Sequence, residues 1–206
     1  MKLVVAGALF AALVCFPARA QDRPTVSAAD LDAIVAASWP RLSPEMQARI
    51  DQDDAIRLCS VHRNDAPPGE AAKIAAAAKA SIVYPADGAY TGDWKKGERG
   101  SLSGYGFRMG DDPKRLAGGN CYACHQLSPK EISYGTLGPT LLGYGKLKGN
   151  TPEIQKEVYE KIYNTQALIA CSNMPRFGHN KVLSPEAIKD YVAYLLDPAS
   201  PVNQGQ

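Results

Sequence analysis

Apolar residues recur at helical spacing along most of this chain. Positions 188, 191, 192 and 195 are apolar, which predicts a helix with one buried face that begins after Ser184 and ends before Pro198. Ser43-Pro44 and Thr151-Pro152 are similar start signals, because a serine or threonine caps a helix whose first turn tolerates proline. Segments with such features cover residues 27–38, 43–50, 55–62, 70–80, 93–100, 151–164 and 184–196. Few segments alternate like strands, so we predict an all-α fold.

The chain divides into three parts. Residues 1–20 open with Lys2, continue with an apolar run and end in Ala18-Arg19-Ala20, which is typical of a secretory signal peptide cleaved after Ala20. The run is shorter than the roughly 20 residues of a membrane span. Residues 21–90 are predicted to form an alanine-rich helical extension that needs a partner to pack on. Residues 91–206 form the C-terminal domain, with glycine-containing loops around a cysteine motif.

The signal peptide has an alternative interpretation through Cys15. Acylated cysteines follow short apolar leaders, but Val14 is bulkier than the residue that such cleavage favours. We therefore prefer cleavage after Ala20, which places the mature protein in the periplasm. Cleavage removes Lys2 and Arg19 from 23 basic residues, and the remaining 21 balance the 21 acidic ones. A neutral chain does not favour nucleic acid or an anionic membrane as partner.

Residues 121–125, Cys-Tyr-Ala-Cys-His, carry the clearest chemistry. Two thiols at this spacing add to the vinyl groups of one haem, and the histidine that follows ligates its iron. A thioredoxin-like motif needs an α/β pattern, and a zinc site needs a second Cys/His pair. We therefore predict one covalent haem c on Cys121 and Cys124, with His125 as an axial ligand, in a class I cytochrome c-type domain.

The sixth iron position has several candidates: Met174, Met109, Met46, His179 and His62. We favour Met174, because Pro175 keeps the surrounding loop out of a helix and a thioether there is free to reach the iron. Pro139 is a candidate for the carbonyl that accepts the other ring N–H of His125, with a plain turn as the alternative. Aromatic candidates for the pocket walls are Tyr105, Phe107, Tyr134, Tyr144 and Phe177.

Two cysteines remain after the signal peptide and the motif are set aside. Cys59 and Cys171 would lie in a compartment where disulfides persist, so we predict that they pair. The alternative is two buried free thiols.

Several blocks outside the motif resemble SoxX, the monohaem cytochrome subunit of the SoxAX complex of bacterial thiosulfate oxidation. The resemblance rests on residues 93–98, 118–126, 135–145, 159–164, 170–180 and 183–203, and more weakly on 59–68. It covers most of the chain after the signal peptide, but no block precedes Cys59. It implies that Cys121 and Cys124 hold the haem, that His125 and Met174 are its axial ligands, and that the two other cysteines pair.

The resemblance also implies a partner and a role. SoxX pairs with the SoxA cytochrome in an L-cysteine S-thiosulfotransferase, which couples thiosulfate oxidatively to a cysteine of the SoxYZ carrier. The sulfur chemistry belongs to SoxA, so no catalytic residue is assigned to this chain. The expected role is to accept electrons and pass them to a small soluble cytochrome. The alternatives are a free diffusible periplasmic class I cytochrome c and a haem protein with an open iron site.

Overall fold

The computed structural model describes residues 24–204 except 107, 109 and 113, so the predicted signal peptide, Cys15, Phe107 and Met109 lie outside it. The α-helices are α1 (Ala28–Ser38), α2 (Pro44–Ile50), α3 (Asp54–Val61), α4 (Pro68–Ala80), α5 (Trp94–Ser101), α6 (Tyr144–Lys148), α7 (Pro152–Tyr163) and α8 (Pro185–Leu196). Short 3-10 turns cover Cys121–Ala123, Thr165–Ala167 and Pro201–Asn203. These described ranges contain no β-strand, which confirms the all-α prediction. None of their helices is long and apolar enough to span a bilayer.

The predicted start signals form real caps. The side-chain oxygens of Ser43, Thr151 and Ser184 each accept a hydrogen bond from the N–H three residues later, at 3.1 to 3.4 Å. A proline follows each of them in the first turn, where no N–H partner is needed. Local chemistry therefore fixes where α2, α7 and α8 begin. The short α6 was not predicted and lies between Gly143 and Gly149.

The main core lies between α7, α8 and the chain that joins them. Its largest fully buried side chains include Tyr159 on α7 and Ile188, Val192 and Leu196 on α8. Phe177 and the last turn of α7 close one side of this core. Burial of these apolar side chains is the main stabilising contribution in this part of the molecule.

Helix α5 crosses α8 at close range because two glycines face it. A Cβ at Gly97 would lie 2.1 Å from the carbonyl oxygen of Asp190, and a Cβ at Gly100 would lie 2.3 Å from the hydroxyl of Tyr191. No larger residue fits at either position without a shift of α8. This close crossing holds α5, and the chain that follows it, against the C-terminal helix α8.

The alanine-rich helix α4 packs on its own chain. Ile74 and Ala78 are buried, and α4 contacts the turn at Thr165–Ala167. Ile82, just after α4, belongs to the main core. Lys79 and Tyr84 also reach the buried carboxylate of Glu160 on α7. These contacts supply packing that we expected a partner protein to provide.

Candidate haem site

The cysteine motif forms a tight turn. Cys121–Ala123 is a 3-10 turn, and the N–H groups of Cys124 and His125 donate to the carbonyl of Cys121 at 3.1 and 2.9 Å. Asn120 before it has φ +48°, the left-handed conformation that asparagine tolerates better than most residues. The turn therefore brings two thiols and an imidazole into one short segment. Among the described cysteines, Cys121 and Cys124 are the free ones.

The last helix supports this turn from behind. The Gly119 N–H donates to the Tyr191 hydroxyl at 2.9 Å, and also to the Gly100 carbonyl. A Cβ at Gly119 would lie 2.8 Å from the Tyr191 ring and 3.0 Å from the Cys121 sulfur. Burial raises the pKa of Cys121 to about 11, so its thiol is protonated at neutral pH. The contacts of the Tyr191 hydroxyl and ring with Gly119 hold the chain in place two residues before Cys121.

The His125 ring is held by the segment that follows the motif. Its Nδ1 lies 2.7 Å from the Pro139 carbonyl oxygen, where a protonated Nδ1 donates. Nε2 then carries the lone pair, and no hydrogen bond to it is found among the described residues. The Gly138 backbone lies against the ring, and a Cβ there would be 2.2 Å from Cε1 of His125. The Gly138 N–H donates to the Cys124 carbonyl at 2.8 Å, which fixes this pairing.

Met174 lies on the loop between α7 and α8. Its side chain is half-buried and packs against the main core, as does that of Cys121. Its backbone N–H donates to the Ser172 hydroxyl at 3.2 Å. The thioether is thus presented from a structured, non-helical loop next to the same core that supports the motif.

A large cavity of about 1350 Å³ lies beside Met174. Its lining includes Met174, Arg176 and Gln166, but not the motif cysteines or His125. Gln166 is 1% exposed, and its Nε2 has no hydrogen-bond partner. An unpaired buried amide donor is costly, so any group that accepts from Gln166 Nε2 in this space would be stabilised there.

These features fit a haem c. Its thioether bonds need two free cysteines, its iron accepts an imidazole nitrogen and a thioether sulfur, and its carboxylates accept hydrogen bonds. Cys121, Cys124, His125 and Met174 would provide the first four groups, and Gln166 Nε2, in the cavity beside Met174, would be a donor for a carboxylate. No group of three or more His, Cys, Asp or Glu side chains within the described part is arranged to hold a metal ion.

The other candidate ligands have different surroundings. His179 Nδ1 lies 3.3 Å from the Ser81 hydroxyl, and its Nε2 lies 3.6 Å from the Asp53 carboxylate. Met46 is half-buried on α2, and His62 caps the end of α3. Both nitrogens of His179 thus face protein groups.

The two remaining cysteines lie together. Cys59 on α3 and Cys171 form a disulfide with a Cα–Cα distance of 5.2 Å, across 112 positions of sequence. Both side chains are buried beside Ile74 of α4. The bridge connects the N-terminal helices to the loop that carries Met174.

The four described candidates for the aromatic walls have different surroundings. Phe177 is buried in the main core, and Tyr144 packs against it. The Tyr105 hydroxyl accepts from the Asp112 N–H at 2.7 Å, and the Arg115 guanidinium lies 4.2 Å from the Tyr105 ring centre. Tyr134 is 39% exposed. Of the four candidates that the structure describes, Phe177 and Tyr144 share the main core, and Tyr105 and Tyr134 are not part of it.

Sequence reasoning missed two residues of the site. Tyr191 appeared only as part of an apolar stripe, and its hydroxyl contact with Gly119 has no local signal. Gln166 lies in a short 3-10 turn with no motif around it. The Gly97 and Gly100 pair, three residues apart on α5, was a readable signal of close helix packing.

Comparison with known proteins gives two similarities. The family model for cytochrome c matches residues 111–197. A protein of Aquifex aeolicus (strain VF5), described as an uncharacterized lipoprotein, is 44% identical over 160 residues, which cover 74% of this chain and 73% of that protein.

Proposed function

The chain carries a cytochrome c domain and belongs to the same family as the Aquifex aeolicus lipoprotein, and from this premise we propose that it is the electron-accepting subunit of a SoxAX-type thiosulfotransferase. Electron transfer by a haem c protein follows from the domain itself. The SoxAX role is the finer proposal. It is supported by the sequence blocks shared with SoxX on both sides of the motif.

One observation carries the electron-transfer function: the motif turn presents two free thiols beside a histidine whose ring is oriented by Pro139. In the proposed holoprotein, Cys121 and Cys124 hold one haem, and His125 and Met174 are its axial ligands. The bound group supplies a one-electron iron couple, whose potential a methionine ligand raises. Two protein ligands leave no open position, which favours electron transfer over chemistry on a small molecule.

The proposed partner is the SoxA cytochrome, which performs the sulfur chemistry. Thiosulfate is joined to a cysteine thiol of SoxYZ with the loss of two electrons. This chain takes electrons from SoxA and passes them to a small soluble cytochrome. Nothing in this scheme requires a catalytic side chain here.

Co-expression with a SoxA cytochrome tests the proposal. We expect a stable heterodimer, and we expect thiosulfate plus SoxYZ to reduce the haem of this subunit. A chain that purifies alone from native extracts and is not reduced in this assay would instead be a free diffusible carrier. Iron analysis should give one iron per copy of this chain.

Carbon monoxide binding to the reduced holoprotein tests the closed iron site. We expect slow or negligible binding to the wild type and rapid binding to Met174→Ala. Rapid binding to the wild type would instead place this protein with haem enzymes or gas sensors.

The family suggests an exported protein, and we propose that this one is periplasmic after cleavage behind Ala20. Mass spectrometry of the purified N-terminal peptide then finds a chain that starts at Gln21. The relative is described as a lipoprotein. A mature chain that starts at a lipid-modified Cys15 would contradict cleavage after Ala20.

A further inference from the structure

A covalent bridge ties α3 to the loop that carries Met174. We define the α3 segment as residues 53–64 and the methionine loop as residues 171–179. The Cys59–Cys171 disulfide joins them three positions before Met174. Cys171 has φ +60°, a left-handed conformation that non-glycine residues adopt at an energetic cost. The start of the methionine loop is therefore held in a backbone conformation that is unfavourable for the isolated segment.

Two polar contacts continue the attachment on both sides of Met174. The Asn64 side chain donates from Nδ2 to Oδ1 of Asn173 at 3.0 Å, one position before the methionine. The Arg176 guanidinium lies 2.7 Å from the Asp53 carboxylate, two positions after it. Met174 is thus bracketed by contacts with the α3 segment.

The Asp53 contact is anchored at both ends. Its carboxylate also accepts from the Ile56 N–H at 2.9 Å, which caps α3, so the side chain is fixed to the helix. The Arg176 side chain is only 11% exposed, so the guanidinium is shielded from water and salt, while the Asp53 side chain is 43% exposed. His179 Nε2 lies 3.6 Å from the same carboxylate. A pair with one buried partner, whose carboxylate is also held by a backbone N–H, is stronger than a fully exposed ion pair.

The geometry points to a positioning role for the α3 segment. We propose that it clamps the methionine loop and so keeps the Met174 thioether on the iron. The proposal rests on the proposed function, in which Met174 is the sixth ligand. A thioether is a weak, neutral ligand, so its occupancy depends on how far its loop is free to move. Contacts that remove this freedom raise the effective concentration of the sulfur at the iron.

Asp53→Asn is the sharpest test of the clamp. Asparagine caps a helix as well as aspartate does, so α3 keeps its N-cap while the ion pair with Arg176 is lost. Asn64→Ala removes the second polar contact. The matched control is Asp32→Asn, which breaks the more exposed 2.6 Å ion pair of Asp32 with Arg57 on the same helix.

The readouts on the full-length holoprotein are the rate of carbon monoxide binding in the reduced state and the long-wavelength absorbance of the Met–iron bond in the oxidised state. We expect Asp53→Asn to bind carbon monoxide about tenfold faster, the size expected for the loss of one charge-assisted hydrogen bond. Its Met–iron absorbance should vanish at a lower urea concentration than its far-ultraviolet circular dichroism. Asp32→Asn should behave like the wild type in both measurements.

The outcomes separate the two proposals. If Met174→Ala changes both readouts but Asp53→Asn and Asn64→Ala match the Asp32→Asn control, the clamp is wrong and the ligand assignment survives. If Met174→Ala leaves both readouts unchanged, the ligand assignment itself fails. The double variant Cys59→Ser with Cys171→Ser extends the series, and the two polar variants decide the question if it does not fold.

Discussion

The imidazole of His125 and the carbonyl of Pro139 are 14 positions apart in sequence and 2.7 Å apart in space. This contact sets which ring nitrogen carries the proton, because the carbonyl accepts only from a protonated Nδ1. Nε2 is then the nitrogen left with a lone pair for iron. The close approach of Gly138 holds the ring in this orientation.

Gly138→Ala should disturb the His125 ligand. The added Cβ would lie 2.2 Å from Cε1 of His125, so either the ring or the 135–141 segment must move. We expect holoprotein with a shifted visible spectrum and a mixed spin state, measured by absorbance and electron paramagnetic resonance. Gly69→Ala is the control, because a Cβ there meets no atom within 4 Å. An unchanged spectrum for Gly138→Ala would show that the ring is not held here.

Met174→Ala should lower the reduction potential. Loss of a thioether ligand removes its preference for reduced iron, so we expect a fall of more than about 59 mV, a tenfold change for a one-electron couple. Spectroelectrochemical titration measures it. Met46→Ala, on α2, is the control and should leave the potential in place. A potential unchanged in Met174→Ala contradicts its assignment as ligand.

The contribution of Asp53 to stability should depend on pH. Partial burial raises the pKa of Asp53, but hydrogen bonds from the Ile56 N–H and Arg176, with the charges of Arg176 and His179, lower it below the ordinary value of 3.8. A carboxyl with a lowered native pKa stabilises the fold above its unfolded pKa and loses this effect as pH falls through its folded pKa. The wild type should therefore exceed Asp53→Asn in free energy of unfolding at pH 7.

This difference should shrink as the pH falls below 3.8, the ordinary pKa of the group. Urea unfolding of both proteins at a series of pH values measures it. A difference that is constant down to strongly acidic pH would mean that the carboxylate charge does not contribute.

Tyr191→Phe should destabilise the fold by about 1 kcal/mol, the usual contribution of one hydrogen bond. The lost contact is the one from the Gly119 N–H, which retains the Gly100 carbonyl as acceptor, so the penalty stays modest. Chemical denaturation of the holoprotein measures it. Tyr134→Phe is the matched control, since Tyr134 is 39% exposed, and it should change stability by less than about 0.5 kcal/mol. Equal effects of the two substitutions on stability would contradict a structural role for the Tyr191 hydroxyl.

The sequence by itself determined the start of those helices that carry a local capping signal. Ser43-Pro44, Thr151-Pro152 and Ser184-Pro185 combine a capping side chain with a first-turn proline, and α2, α7 and α8 begin there. The haem motif is equally local, because two thiols and an imidazole within five residues need no distant partner to be recognised. The five-residue α6 escaped prediction, because so short a segment between glycines carries too little periodicity.

Only the tertiary structure decided how distant side chains meet around the site. Asp53 and Arg176 are far apart in sequence, as are Asn64 and Asn173, and no local pattern marks either pair. The orphaned amide of Gln166 exists only because folding buries it beside a cavity. Likewise, α4 has a composition that predicts a helix but not the surface it packs on. Such contacts depend on the packing of the whole chain, and short-range propensity carries no information about them.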